Sequence, residues 1–152
     1  MKVRVELSAD GEEEIIIRCK EIDERTEMIR DVIESIARSK RELLLYIGNT
    51  EYYVSKDDIL FFESSEGRVF AHTPDKMLRT EYKLFELEEV MPPYFCRISK
   101  SVIANVKLIS SLSRELTGNG KITFKASDKQ AYFSRAYYKT LKDKIEEVRF
   151  SK

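Results

Sequence analysis

Short β-strand patterns separated by turn residues dominate the chain from residue 43 onward, and this repetition limits the possible folds more than any other feature. The predicted strands cover residues 43–47, 52–54, 59–63, 68–73, 77–82, 95–98, 106–112, 121–125 and 130–134. Turn sequences at Gly48-Asn49 and at residues 64–67 predict two hairpins. Parallel strands would need a long crossover for each connection. The pattern therefore predicts small antiparallel sheets stacked on one another.

Few helical patterns accompany these strands. Residues 83–90 predict a brief helix that ends at Met91-Pro92-Pro93, because proline lacks a backbone N–H. Residues 99–104 are interpreted as a single helical turn, and residues 136–148 as a C-terminal helix. The expected fold class is α+β, mainly β, with a stack of small antiparallel sheets.

The N-terminal segment, residues 1–44, is predicted to form a separate β-β-α unit. Alternating apolar residues predict a strand at residues 3–7, a turn is predicted at residues 8–11, and residues 14–19 are interpreted as a second strand. Asp23 is a candidate N-cap of a helix with one apolar stripe, formed by Met28, Ile29, Val32, Ile33, Ile36 and Ala37. Such a small unit buries little surface alone. We therefore expect it to serve dimerisation or regulation beside a second domain at residues 45–152.

Length and composition exclude several classes of protein. The 152 residues correspond to one domain with a small appendage. Charged residues make up 36% of the chain, and apolar runs such as Ile15-Ile16-Ile17 are too short to span a bilayer. Residues 1–4 do not begin a secretory signal, and Cys19 and Cys96 lack CxxC spacing. We expect a cytoplasmic protein with reduced cysteines.

The net charge of zero conceals an uneven distribution. Residues 1–44 contain nine basic and twelve acidic residues, residues 45–89 five and ten, and residues 90–152 thirteen and five. The net charges of these segments are therefore −3, −5 and +8. A cationic C-terminal third could bind a polyanion such as nucleic acid, and it could equally be a lysine-rich surface that keeps the protein in solution.

Candidate catalytic residues are scarce. The single histidine, His72, has no carboxylate or cysteine partner at a recognisable spacing, so a surface or hydrogen-bonded role is favoured over catalysis. Gly118-x-Gly120 lacks the third glycine of a dinucleotide-binding loop. We therefore expect no enzyme, no cofactor, no metal and no small-molecule substrate.

Several basic residues lie on predicted loops beside strands, where they could contact DNA. Arg68 follows a hairpin turn, Lys100 lies between two serines, and Arg135 joins the last strand to the last helix. The arginine fork matches the O6 and N7 atoms of guanine, whereas lysine and hydroxyl groups suit phosphate oxygens. Each residue alone could also be an ordinary surface cation.

An ordered set of motifs over residues 45–147 resembles the LytTR DNA-binding domain of bacterial transcription regulators. The first motif is the strand Ile59-Leu60-Phe61-Phe62-Glu63-Ser64, and the second is the helix pattern Leu84-x-x-Leu87-Glu88. The third and most distinctive is Tyr94-Phe95-Cys96-Arg97-Ile98-Ser99-Lys100-Ser101-Val102-Ile103-Ala104-Asn105. The last is Phe133-Ser134-Arg135-x-Tyr137.

The resemblance implies an elongated stack of small antiparallel sheets. It also implies that loops, and not a recognition helix, insert into successive major grooves. Carried over by position, these loops are residues 65–68, Ser99-Lys100 and Ser134-Arg135. Arg68 and Arg135 are the expected base readers, and Lys100 contacts a base or a phosphate. Further candidates, mostly for the DNA backbone, are Ser65, Ser99, Arg97, Ser101, Tyr137 and Lys139. Asn105 is interpreted as structural, since asparagine often satisfies backbone groups in turns. The family often has histidine at the position of Ser99, which leaves the target sequence open.

The resemblance also has implications for partners. Many members carry a receiver domain, as response regulators do, but residues 1–44 are too few for one. The chain resembles stand-alone LytTR regulators, which are often encoded beside a membrane protein that restrains them. A homodimer would match a repeated half-site in DNA. The alternative hypothesis is a non-enzymatic protein-interaction or dimerisation module that uses the acidic N-terminal half.

Overall fold

The computed structural model describes residues 1–7, 9, 11 and 14–150, apart from the side chains of residues 38–40. The chain divides into two units, Met1–Ala37 and Arg38–Lys152. The first unit contains most of helix α1, Glu24–Arg41. Asp23 caps this helix as predicted, because its Oδ1 accepts a 2.8 Å hydrogen bond from the backbone N–H of Thr26.

The prediction of two strands before α1 is wrong. Residues 3–7 and 14–19 contain no strand, and Val3 and Leu7 are 87% and 100% exposed. The turn predicted at residues 8–11 lies in part outside the described residues. A two-stranded hairpin is marginally stable in water unless a helix or further strands cover its apolar face. The alternating pattern was therefore insufficient to predict strands in this segment.

The second unit contains ten strands in two sheets. Its strands are β1 (Glu42–Ile47), β2 (Thr50–Ser55), β3 (Phe61–Ser65), β4 (Arg68–His72), β5 (Met77–Thr80), β6 (Phe95–Ser99), β7 (Val102–Asn105), β8 (Ile109–Arg114), β9 (Gly120–Phe124) and β10 (Gln130–Phe133). The large sheet has the order β2-β1-β5-β4-β3-β7-β6, and the small sheet the order β10-β9-β8. Every pairing between described strands is antiparallel, which confirms the predicted mainly-β architecture.

Successive residues of β3 point to opposite faces of the large sheet, and each face has its own core. Phe61 packs with residues of the small sheet and with Leu141 of helix α3, Tyr138–Ile145. Phe62 packs with Leu87 of helix α2, Leu84–Val90. The strands in the middle of the sheet are therefore covered on both sides, which holds the loops at their ends in place.

The helical turn predicted at residues 99–104 is wrong, because β7 occupies Val102–Asn105. All four residues of β7 are buried, and the strand pairs with β3 on one side and β6 on the other. A short apolar run cannot be assigned to helix or strand by its period alone. Asn105 is structural as predicted: its Nδ2 donates to the carbonyl of Ile59 at 3.0 Å, and its Oδ1 accepts from the N–H of Lys107 at 3.0 Å.

The C-terminal helix is shorter than predicted. A 3₁₀ turn at Arg135–Tyr137 precedes α3, and a π-helical turn at Glu146–Phe150 follows it. Among the described residues, no helix is both long enough and apolar enough to cross a membrane.

Candidate nucleic-acid interface

The first candidate loop is the tight turn between β3 and β4. Ser65 and Arg68 face each other across it, and the central residues Glu66 and Gly67 have φ angles of 52° and 77°. Positive φ at both central positions is the mark of a type I′ turn, whose twist matches that of the strands it joins. Ser65 and Arg68 are both exposed. The turn therefore presents Arg68 to solvent at the end of a regular hairpin.

The second candidate loop, Lys100-Ser101 between β6 and β7, is shaped by Arg97. The Arg97 Nε donates to the carbonyl of Ser99 at 2.8 Å, and its Nη2 donates to the carbonyl of Lys100. Its Nη1 forms an ion pair with Glu88 of α2 at 2.7 Å. These bonds occupy the Arg97 fork, so we assign Arg97 to positioning the loop and not to contacting DNA.

The same loop leaves its other polar side chains near the surface. Lys100 and Ser101 are exposed, and Ser99 is half-buried. The hydroxyl oxygen of Ser99 accepts the N–H of Ser101 at 3.2 Å, which tightens the loop. The Lys100 side chain is thus exposed on a loop whose backbone is held by the Arg97 guanidinium and by the Ser99 hydroxyl group.

The third candidate loop joins β10 to α3 through Ser134. The backbone N–H of Arg135 donates to Oδ1 of Asn119 at 2.8 Å, and the Arg135 side chain is exposed. Tyr137 is half-buried and donates its N–H to the carbonyl of Ser134 at 3.0 Å, while Lys139 is exposed on the first turn of α3. Arg135 and Lys139 are therefore available to a ligand on this side of the unit.

Two backbone hydrogen bonds connect the three loops. The N–H of Ser64 donates to the carbonyl of Ser101 at 2.8 Å, which joins the first loop to the second. The N–H of Ser134 donates to the carbonyl of Ile98 at 3.0 Å, which joins the third loop to β6. The three loops therefore lie side by side at one end of the sheets.

The cations on these loops are not neutralised by neighbouring carboxylates. Within the described part of the chain, no ion pair involves Arg68, Lys100 or Arg135. Such a row of exposed, unpaired cations attracts a polyanion. Arg68, Lys100 and Arg135 are all exposed, and their contact with DNA stays a prediction.

His72 lies at the other end of β4, away from the three loops, and has a structural environment. Its Nε2 lies 2.8 Å from Oε1 of Glu63, and its ring stacks on Phe61 with 4.3 Å between ring centres. Burial lowers the pKa of His72. The hydrogen-bonded role favoured from the sequence fits this environment. No group of side chains with metal-binding geometry occurs among the residues that the structure describes.

Sequence reasoning missed the residues that hold the candidate contacts in place. These are Glu88, which pairs with Arg97, and Gly118 and Asn119, which contact Arg135. Residues 117–120 have the composition of a turn. Nothing in that composition indicates that the turn packs against a residue far along the chain.

The model of the LytTr DNA-binding domain family matches residues 49–146. The chain belongs to this family. An uncharacterized HTH-type transcriptional regulator of Staphylococcus aureus strain NCTC 8325 / PS 47 is 29% identical over 147 residues, covering 95% of this chain and 98% of its own length. A regulator of the same description from strain MRSA252 is 28% identical over the same shares. A solved LytTr DNA-binding domain from Bacillus cereus superposes with a TM-score of 0.64 at 16% identity, over 69% of this chain and 96% of that domain.

The candidate interface consists of loops beside strands and not of a helix-turn-helix. The relatives are named HTH-type, which refers to two helices joined by a short turn. The described α-helices of this chain are not joined in that way, because β1–β5 separate α1 from α2 and β6–β10 separate α2 from α3. The likeness to the Bacillus cereus domain shows that the fold of the second unit is that of LytTR domains.

Proposed function

We propose that this LytTR protein is a sequence-specific transcriptional regulator that binds double-stranded DNA with its three loops and catalyses no reaction. The observation that carries the proposal is the pair of backbone hydrogen bonds, Ser64 to Ser101 and Ser134 to Ile98, which align the loops. The names of the relatives support the regulatory role. A protein with this role works where the chromosome is, in the cytoplasm.

Each loop residue has a role that suits its chemistry. Arg68 and Arg135 read bases, because their forks can bond two acceptors on one guanine. Lys100 contacts a base or a phosphate, as a flexible point charge does. Backbone contacts are assigned to the remaining polar side chains at the loops: Ser65, Ser99, Ser101, Tyr137 and Lys139.

The spacing of the loops limits how they meet the duplex. Neighbouring strands are about 4.8 Å apart. The first and second loops lie two strand positions apart in the order β4-β3-β7-β6, and the third adjoins β6. The loop backbones therefore span about 20 Å, which is less than the ~34 Å repeat of successive major grooves, so the long side chains of the outer loops must cover the remaining distance. We assign Arg68 and Arg135, on the outer loops, to two successive major grooves, and Lys100 to the DNA between them.

Helix α1 gives the regulator a surface for a second copy. Met28 and Val32, one turn apart, are 63% and 59% exposed. We propose that this apolar face pairs with its counterpart in a homodimer, so that residues 1–44 form the dimerisation and regulatory unit. Two copies would match a repeated half-site. The membrane-protein antagonist implied by the family resemblance stays a prediction.

The experiment that tests the proposal is selection of bound duplexes from a random DNA pool, followed by titration of the enriched sequence. We expect a defined motif, and a log–log dependence of affinity on salt with a slope near −0.9 per phosphate neutralised. Arg135→Ala should remove most of the preference for the motif and leave the thermal unfolding midpoint unchanged. An interaction module without DNA-binding activity would enrich no motif and would flow through a heparin column.

A further inference from the structure

We propose that the turn between β8 and β9, and Asn119 in particular, is a positioning element that determines DNA specificity by fixing the direction of Arg135. The inference rests on the proposed function, in which Arg135 reads a base. The inference concerns residues in the turn between β8 and β9, to which no contact with DNA is assigned.

The main contact is the hydrogen bond from the backbone N–H of Arg135 to Oδ1 of Asn119, at 2.8 Å. The preceding residue, Ser134, donates its own N–H to the carbonyl of Ile98 on β6 at 3.0 Å. Two successive amides are thus held from opposite sides, one by each sheet. The backbone at Arg135 therefore has little freedom to rotate.

Gly118 fixes the side chain as well as the backbone. A Cβ atom added at Gly118 would lie 2.6 Å from both Cγ and Cδ of Arg135, so the stem of the arginine rests on the face of the glycine. Gly118 has a φ of 92°, a conformation that favours glycine. The turn thereby supports the start of the arginine stem and leaves the guanidinium exposed.

The turn is itself well defined. The N–H of Glu115 donates to the carbonyl of Asn119 at 2.8 Å, and the N–H of Gly118 donates to the carbonyl of Glu115 at 2.9 Å. At its base, Gly120 pairs with both Arg114 of β8 and Phe133 of β10. The turn precedes β9 and the third loop follows β10, and these two strands pair directly, with Gly120 opposite Phe133.

Positioning matters here because a bidentate contact depends on geometry. Both donors of an arginine fork must meet O6 and N7 of one guanine at the same time. A phosphate contact by a flexible lysine has no comparable demand. Loss of the support at Asn119 should therefore reduce discrimination between DNA sequences more than it reduces binding to DNA in general.

The test is a double-mutant cycle between Asn119→Ala and Arg135→Ala. The probes are the duplex enriched from a random pool by the wild-type protein and a scrambled duplex of equal length and composition. We expect Asn119→Ala to lower the ratio of the two affinities about three- to tenfold, the effect of one lost hydrogen bond. In the Arg135→Ala background the same substitution should change that ratio no further.

Two further variants separate positioning from stability. Asn119→Asp keeps an acceptor for the Arg135 N–H and should restore the ratio, even if its charge weakens binding to both duplexes. Asn49→Ala removes an exposed asparagine from the β1–β2 turn and serves as the matched control. A purely structural role of Asn119 would lower the thermal unfolding midpoint in both backgrounds and leave the ratio unchanged.

The outcomes distinguish this inference from the proposed function. Loss of discrimination with Arg135→Ala but none with Asn119→Ala overturns the positioning role alone. Equal, additive losses in both backgrounds show that Asn119 contacts DNA itself, which also overturns it. An Arg135→Ala variant that discriminates normally overturns the base-reading role of Arg135 and the inference together.

Discussion

At the scale of single residues, Arg97 in β6 and Arg135 after β10 lie beside or in neighbouring loops but use their side chains differently. The guanidinium of Arg97 is committed to two loop carbonyls and to Glu88, whereas that of Arg135 forms no ion pair within the described residues. Both were candidates for DNA contact in the sequence. Only the placement of Glu88 and of the loop carbonyls shows that Arg97 positions the loop whereas the guanidinium of Arg135 is available to a ligand.

We predict that Arg97→Ala lowers the free energy of unfolding by about 1–3 kcal/mol, because charge-assisted hydrogen bonds are lost. The measurement is urea denaturation. Arg97→Lys should recover little, since one ammonium cannot bond both carbonyls and Glu88 as the planar fork does. Glu88→Gln is the milder control, because the carbonyl bonds of Arg97 remain. An Arg97→Ala variant as stable as the wild type would contradict the positioning role.

His72 gives the fold a specific dependence on pH. Burial, and the nearby Lys129, lower the pKa of His72 against the opposing effect of Glu63. The unfolded chain therefore takes up a proton at a higher pH than the folded chain. The contribution of His72 to the free energy of unfolding is fully present above about pH 6.5 and is lost as the pH falls below that value. The chain has one histidine, so no other imidazole contributes.

We therefore expect the thermal unfolding midpoint of the wild type to fall between about pH 6.5 and pH 5. In His72→Gln the midpoint should change less over the same range, because the titrating group is gone. Midpoints measured by circular dichroism in both proteins provide the comparison. Parallel pH profiles for the two proteins would show that His72 does not control acid stability.

At the scale of elements, the sequence predicted most strands of the second unit. The predicted strands at residues 43–47, 68–73 and 121–125 correspond to β1, β4 and β9. The prediction failed for β7, where a short buried run has no diagnostic period, and for residues 3–7 and 14–19, whose apolar residues form no strand.

The candidate site, like the strands, could be predicted from the sequence only in part. The three loops could be located from the sequence because the LytTR motifs keep their order and spacing. The hydrogen bonds that connect the loops could not be predicted from the sequence. Ser64 meets Ser101, and Ser134 meets Ile98, only after the strands that carry them have assembled. Local residue patterns carry no information about such distant backbone pairs.

Helix α1 is the element whose role depends on a partner. We predict that Val32→Glu converts a dimer to a monomer, because it places a charge in the proposed apolar contact. Sedimentation equilibrium of the full chain measures the change. Glu34→Gln, which alters an exposed residue on another side of the helix, should leave the mass unchanged. A wild-type protein that is monomeric at all concentrations, with and without DNA, would contradict the dimer.

At the scale of the whole molecule, charge and architecture agree. Residues 1–89 carry a net charge of −8 and residues 90–152 a net charge of +8, and two of the three loops lie in the basic part. Arg68 extends the cationic edge into the acidic part of the sequence because β3 pairs with β7. An overall net charge of zero is therefore compatible with a surface that binds DNA.

The central claim is that the two outer loops read DNA in successive major grooves from one edge of the fold. The direct measurement is a position-by-position comparison of the base preferences of Arg68→Ala, Arg135→Ala and the wild type by selection from a random pool. We expect each variant to lose preference at a different group of base pairs, the two groups lying about one helical turn apart within a half-site. Loss at the same base pairs in both variants, or unchanged preferences in both, would contradict the claim.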